Sequence, residues 1–354
     1  MIEDCVIIGG GIAGLSAANQ LADAGFSALL IEGSPYPAQR ICGEYISYEG
    51  LPILHRWEIP VSLKISEAHF IKDQQKIVFS LPQPSGSCSR YRLDWHLLQR
   101  AIQKGSRVIT DVQVIQLIVP DELHKNYHLK LSNGQEIEAK HLMVGTGRLS
   151  GMHAQSSPLE PAYIGFKAHF TNVSFIPHLE MYFFQGGYLG ISKVDKTTLN
   201  IAGLMRKESV GATPIENFTQ LLMENKDLSA LKPHLSSAVP LFPWMQGQIP
   251  EFGIRQLPPW PRIFWIGDAA GSIPPISGEG LALALNSGCM AADYFLKSNA
   301  AEFNQNWNRC YAKRFFWAKW IHHLMLSKRA SRMTFRVFQF FPSFMDKAWR
   351  LTRH

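Results

Sequence analysis

The first thirty-two residues constrain the fold more than any other stretch. Cys5-Val6-Ile7-Ile8 is a short apolar run, followed at once by Gly9-Gly10-Gly11-Ile12-Ala13-Gly14. Leu15 to Ala24 reads as a helix, Phe26 to Ile31 as a second buried strand, and Glu32 closes the unit. Gly9, Gly11 and Gly14 fit G-x-G-x-x-G. The first glycine permits the tight turn, the second lets backbone approach a pyrophosphate, and the third lets helix and strand pack closely. The helix N-terminus offers free N–H groups and the positive end of its dipole. Glu32 stands eighteen positions beyond Gly14, the place of an acid that takes a ribose hydroxyl. The expectation is a dinucleotide site.

Beyond Glu32, a loop from Gly33 to Arg40 leads to Cys42-Gly43-Glu44 and a helix near Glu49 to Trp57. Ala68–Ile71 and Lys76–Phe79 read as a hairpin, and Pro82 to Gly86 as a loop. Arg90 opens a helix running to about Gly105, with Leu93, Leu97, Leu98 and Ile102 on one face. Arg107 to Ile118 and Tyr127 to Leu131 read as strands, and Asn133-Gly134 as a hairpin turn. Ile137 to Val144 enters Gly145-Thr146-Gly147-Arg148-Leu149-Ser150. A β pattern then holds from Tyr163 to Met205, and residues 214–231 look helical. Ile263–Ile266 is a last buried strand, and Leu281 to about Lys297 a helix. The five cysteines are odd in number and scattered, without metal-ligand spacing, which implies a reducing compartment and no metal site. Neither a secretory leader nor a transmembrane run is visible, so the expected location is cytoplasmic.

Three separated signals line up: the N-terminal motif, Arg90-x-x-Leu93-Asp94, and Gly267-Asp268 with Pro275-x-x-Gly278-x-Gly280 beyond it. Together they resemble the FAD-dependent oxidoreductases of the p-hydroxybenzoate hydroxylase and geranylgeranyl reductase superfamily, over roughly residues 1–297. The resemblance implies an α/β fold. A Rossmann-like FAD-binding domain (1–62, 91–160 and 250–297) carries an inserted, mostly antiparallel substrate sheet (63–90 and 161–249). The tail (298–354) lies outside the resemblance and reads as helical from its own spacing, with Phe316, Trp320, His323 and Leu324 at helical intervals and Phe335, Phe338 and Phe341 in part. The resemblance also implies that Asp268 hydrogen-bonds the ribityl chain. The Pro275 loop would bring a helix N-terminus to the flavin pyrimidine edge, and Arg90 would lie along the FAD. The implied cofactor-binding set is Gly9, Gly11, Ile12, Ala13, Gly14, Glu32, Gly33, Arg40, Arg90, Gly145, Gly147, Gly267, Asp268, Pro275, Gly278, Gly280 and Leu281. Plainer readings stand beside two of these: a helix cap for Asp268 and a surface charge for Arg90.

Departures from the family pattern matter too. The hydroxylases carry an Asp-Gly pair where this chain has Thr146-Gly147, and the loss of that Asp bears on direct use of NAD(P)H. Cys42-Gly43-Glu44 resembles the cysteine loop of geranylgeranyl-reductase-like proteins. Cys42 is therefore either a proton donor to a reduced alkene or a small packing residue. Glu44 is either a base or substrate-orienting group, or a solvent-facing acid. Tyr188 either faces a substrate cavity or is an ordinary sheet aromatic, and His169 reads as a satisfied core histidine. Gly190 and Ser192 stand where the reductases and halogenases of the family have tryptophan and proline, which argues against a halogenase.

Residues 301–354 hold eleven Lys or Arg against Glu302 and Asp346 alone, interleaved with aromatics. Such a tail suits either an anionic bilayer surface, here the inner face of the membrane, or packing on the FAD domain. No nucleic-acid module is present. The expected activity is an FAD-dependent monooxygenase acting on an aromatic or lipophilic metabolite. A reductase of an isoprenoid or lipid alkene is the alternative, and an FAD-binding sensor the alternative of another class. NAD(P)H or a partner reductase would supply the electrons.

Overall fold

The computed structural model describes residues 2–121, 125–148, 161–173, 176–210 and 218–353. Its first sheet is ordered Arg107–Ile109, Leu29–Ile31, Ile2–Ile8, Glu136–Val144, Tyr127–Leu131, Val114–Ile118, with Ile263–Trp265 also paired to Glu136–Val144. The strands around Ile2–Ile8 run parallel: Val6 pairs with Leu29 and with Leu142, and Ile263 pairs with Leu142. Such strands are covered on both faces and need continuous apolar runs. Val6, Ile7, Leu30, Leu142 and Phe264 are accordingly buried.

Helix Ile12–Asp23 lies over this sheet, with helix Gly280–Leu296 against it. Small residues allow that close crossing: a Cβ on Gly288 would come within 2.2 Å of the Ala13 carbonyl oxygen. Helix Arg90–Gln103 starts where Ser89 Oγ accepts from the Arg92 N–H, a side-chain cap. Leu93, Leu97 and Leu98 are buried as expected, whereas Ile102 is half exposed near the helix end.

The second sheet is ordered Val239–Pro240, Pro161–Thr171, Leu199–Arg206, Gly187–Lys193, Leu179–Phe184, Leu63–Lys72, Gln75–Ser87, Tyr45–Ile46, with Met245–Pro250 also paired to Pro161–Thr171. It is antiparallel except where Leu179–Phe184 meets Leu63–Lys72. The expected loop at Pro82–Gly86 is instead part of strand Gln75–Ser87. The register jumps from Glu67↔Ser80 to Ile65↔Ser85, so both prolines fall inside an irregularity where ladder N–H groups are not required. Of the helix expected over 214–231, Phe218–Glu224 and the 3₁₀ turn Lys226–Leu231 are seen, and 214–217 lie outside the described residues.

The tail forms three helices, Ala300–Leu326, Lys328–Phe340 and Pro342–Leu351. Phe303, Trp307, Tyr311 and Phe315 of the first are buried in the two cores that flank the first sheet. Met325, Leu326 and Phe335 are buried against the second sheet. The tail therefore packs on both units rather than on one.

Candidate active site

A cavity of about 520 Å³ opens between the two sheets and the tail. At one end are Gly9, Gly11, Ile12 and Ala13. Gly9 has φ +100°, which only glycine adopts readily, and its N–H donates to the Ile31 carbonyl at 2.8 Å. A Cβ on Gly14 would lie 1.9 Å from the Gly9 carbonyl oxygen, whereas one on Gly11 would meet nothing within 4 Å among the described residues. Gly14 thus serves helix–strand packing, and Gly11 keeps the cavity clear. Among the described residues no side chain caps helix Ile12–Asp23, which suits its leading N–H groups to an anion.

Glu32 is buried and fixed at the end of its strand. Its Oε2 accepts the Gly10 N–H at 2.6 Å, and its Oε1 takes Ser34 N–H at 3.0 Å and Arg40 Nη2 at 3.1 Å. Gly33 packs against the Gln113 side chain and does not line the cavity. Gly145, Gly147 and Arg148 line it, while Leu149 and Ser150 lie outside the described residues. Asp268 also lines it, 3.2 Å from Arg148 Nε, and the Gly267 N–H donates to Ser287 Oγ. Pro275, Gly278, Gly280 and Leu281 form the wall at the start of helix Gly280–Leu296. Gly278 is left-handed at φ +70°, and a Cβ there would come within 2.8 Å of the Tyr45 ring.

The geometry corrects one reading of Glu44. It is fully buried, not solvent-facing. Oε1 accepts Lys167 Nζ at 2.6 Å and the Arg90 N–H at 2.7 Å, and Oε2 lies 2.6 Å from His169 Nε2. Burial pushes the Glu44 acid up, but the His169 hydrogen bond and the Lys167 charge outweigh it and hold the carboxyl below its usual range. A carboxylate so occupied anchors the loop and makes a poor base. His169 is a satisfied core histidine, as expected. Lys167 went unread in the sequence, although a Lys-x-His pair on one face of an apolar strand was its signal.

Arg90 grips Asp94 through two hydrogen bonds of 2.6 and 2.7 Å and also interacts with the Cys42 thiol. Cys42 faces the cavity, and its sulfur accepts the Glu44 N–H at 3.3 Å. Tyr188 is buried, yet its ring reaches the cavity and its hydroxyl accepts the Ile276 N–H at 3.1 Å. It therefore braces the Pro275 loop. Met181, Phe183 and Phe70 continue the apolar wall, and tail residues Phe335, Phe338, Trp349 and Arg353 complete it. The tail's part in the site was not legible in its composition.

On the opposite face of the second sheet, ligand atoms of Glu67, His69 and His178 lie within 4.8 Å of one another. The two imidazoles lie close together, their ring centroids 3.5 Å apart and their planes tilted by 34°.

Residues 3–171 match the family model described as pyridine nucleotide-disulphide oxidoreductase. The chain is 25% identical over 314 residues to the digeranylgeranylglycerophospholipid reductase of Methanocaldococcus jannaschii, spanning 84% of this chain and 78% of that protein. It is 22% identical over 334 residues to the menaquinone reductase of Mycolicibacterium smegmatis, spanning 86% and 79%. Among solved structures, a flavin-dependent brominase superposes with a TM-score of 0.80 at 17% identity, over 99% of this chain and 93% of its own. That last likeness speaks to fold.

Proposed function

We propose that this chain, an FAD-dependent oxidoreductase similar to those of the p-hydroxybenzoate hydroxylase and geranylgeranyl reductase superfamily, reduces a carbon–carbon double bond in the isoprenoid-like chain of a lipophilic substrate. One observation carries the choice over a monooxygenase: the Cys42 thiol faces a largely apolar cavity, with Arg90 and the Glu44 N–H beside it. The relatives named above as lipid and quinone reductases support the same reading.

The residues fit FAD. The open space at Gly11 and the uncapped helix suit a pyrophosphate. Glu32 would take ribose hydroxyls, Asp268 the ribityl hydroxyls, and the Pro275–Gly280 wall the pyrimidine edge. In this reading residues 1–62, 91–160 and 250–297 serve FAD, 63–90 and 161–249 serve substrate, and 298–354 close the cavity. When bound, FAD supplies the hydride, with NAD(P)H or a partner reductase as its electron source. Cys42 gives a proton to the second alkene carbon, and the Glu44 N–H and Arg90 stabilise the thiolate left behind. The apolar wall excludes water, and Tyr188 keeps the Pro275 loop in place. The exposed aromatics of the basic tail set the enzyme on a membrane surface, where such a substrate resides.

The test is anaerobic. Reduced protein is mixed with a polyprenyl quinone or a prenylated glycerol lipid. Return of the yellow oxidised-flavin absorbance without oxygen, with a saturated product, is expected. Return only on admitting air, with a hydroxylated product, would establish the monooxygenase instead. Cys42→Ala should slow alkene reduction by about 10²–10⁴-fold while binding FAD normally; full turnover would remove the proton-donor role.

A further inference from the structure

Arg353 belongs to the tail in sequence but sits in the cavity wall, only 4% exposed. Its Nη2 donates to the Ser277 carbonyl at 3.0 Å, inside the loop that runs from Pro275 to Gly280. Its Nε lies 3.4 Å from Glu49 and 3.8 Å from Glu279. The guanidinium stacks on Trp349 at 4.4 Å, and Trp349 stacks on Tyr48. The tail thereby clamps two segments that border the FAD site, Tyr48–Glu49 and Ser277–Glu279. Among the described residues, neither carboxylate oxygen of Glu49 nor of Glu279 has a hydrogen-bond partner. A buried acid without hydrogen bonds is costly unless it is neutral or faces a cation.

We propose that Arg353 is a positioning residue of the FAD site: bound to the Ser277 carbonyl between Glu49 and Glu279, it holds the Pro275–Gly280 loop in its cofactor-ready shape. The tail is then a working part of the cofactor site and more than a cover. The proposal rests on the reading that this loop faces the flavin.

The groups facing Glu279 are Arg353 and Arg314 from the tail, Glu49, and the hydroxyls of Tyr45, Tyr48 and Tyr311. Burial holds the Glu279 acid up at about 8, opposed by Arg353 and Arg314 and reinforced by Glu49. Below that pH Glu279 is neutral, and the loop tolerates loss of the cation. Above it the carboxylate forms and needs Arg353 to remain inside. Without the arginine, deprotonation favours an opened loop.

The test measures FAD dissociation constants, by quenching of flavin fluorescence, across the pH range for the full chain and for R353Q, R353K, E279Q and E279Q/R353Q. The deficit of R353Q against the native chain should widen by about tenfold or more as pH rises from about 6 to about 9. R353K should recover part of it, because the charge returns without the two-pronged fork. In E279Q/R353Q any deficit should be constant with pH. An R353Q deficit equally large at every pH, or unchanged by E279Q, would reduce Arg353 to packing and overturn the proposal. So would native affinity of R353Q at all pH values. Asp268→Ala in the same assay separates the two readings: undiminished FAD binding there would defeat the placement of the flavin itself. Far-UV dichroism checks folding, and R353K keeps the test decisive if R353Q fails to fold.

Discussion

At Glu44 a non-glycine residue adopts φ +58° and buries its carboxylate completely. Three partners justify that arrangement, and the Lys167 ion pair is the one that neutralises its charge. Lys167→Met leaves the carboxylate without its cation, so unfolding in urea should show a loss of about 3–5 kcal/mol. Retention of native stability would mean the pair is dispensable. The two buried acids of the site respond to pH with opposite signs. Glu44 is held below its ordinary value, so its contribution is complete above the unfolded carboxylate range and fades as pH falls through its folded value. Glu279 is held up at about 8, so the native state keeps a proton that the unfolded chain releases. That contribution is complete below the unfolded value, about 4.3, and is lost as pH rises toward about 8. Melting temperatures should therefore decline across that window, and E279Q should flatten the decline. An unchanged slope in E279Q would show that Glu279 titrates as in the unfolded chain. Neither acid was legible as buried: Glu44 follows a glycine in a loop, and Glu279 lies between two glycines. Their burial depends on Lys167 and Arg353, distant in sequence.

At the scale of the element, the strand–turn–helix unit was legible because its demands are local. Two glycines of one motif nevertheless do different jobs. Gly14→Ala drives a methyl into the Gly9 carbonyl, so helix and strand must separate, at about 1–3 kcal/mol. Gly11→Ala meets no atom of the described residues and keeps the fold within about 0.5 kcal/mol. Its methyl occupies the space assigned to the pyrophosphate, so FAD retention should fall while the melting curve of the apoprotein stays in place. A Gly11→Ala protein that keeps its flavin would move the pyrophosphate elsewhere. The strand Gln75–Ser87 was legible only in part. Its prolines read as a loop because a register irregularity depends on the partner strand, which local sequence does not reveal. The tail helices were visible from their spacing, but their docking on two units at once was not, since it depends on which apolar faces the sheets leave uncovered.

Across the whole molecule, the tail carries apolar surface on both its sides. Phe338 turns into the cavity, while Phe340, Phe341 and Phe344 are more than half exposed around the junction of the last two helices. Met333, Phe316 and Trp320 are exposed as well, and Arg336, Lys347 and Arg350 lie between or beside these aromatics. Among the described residues no helix is long and apolar enough to cross a membrane. An aromatic rim with basic neighbours instead suits insertion at the headgroup boundary, where apolar burial and attraction to anionic lipid act together. The rim also lies on the helices that wall the cavity, so docking would bring the cavity wall to a lipid phase, where the isoprenoid-like substrate proposed above would reside. Co-sedimentation with phosphatidylglycerol vesicles should exceed that with phosphatidylcholine vesicles and weaken as salt rises, because surface charges are screened. Each inserted phenylalanine contributes about 1.5–3 kcal/mol when fully buried. The triple variant F340S/F341S/F344S should therefore lose about 100-fold or more in partitioning to anionic vesicles. It should still bind FAD, because none of the three side chains lines the cofactor cavity. Binding of the native chain that ignores both lipid charge and these three side chains would remove the rim from the docking surface. It would leave the tail with its role in the cavity alone.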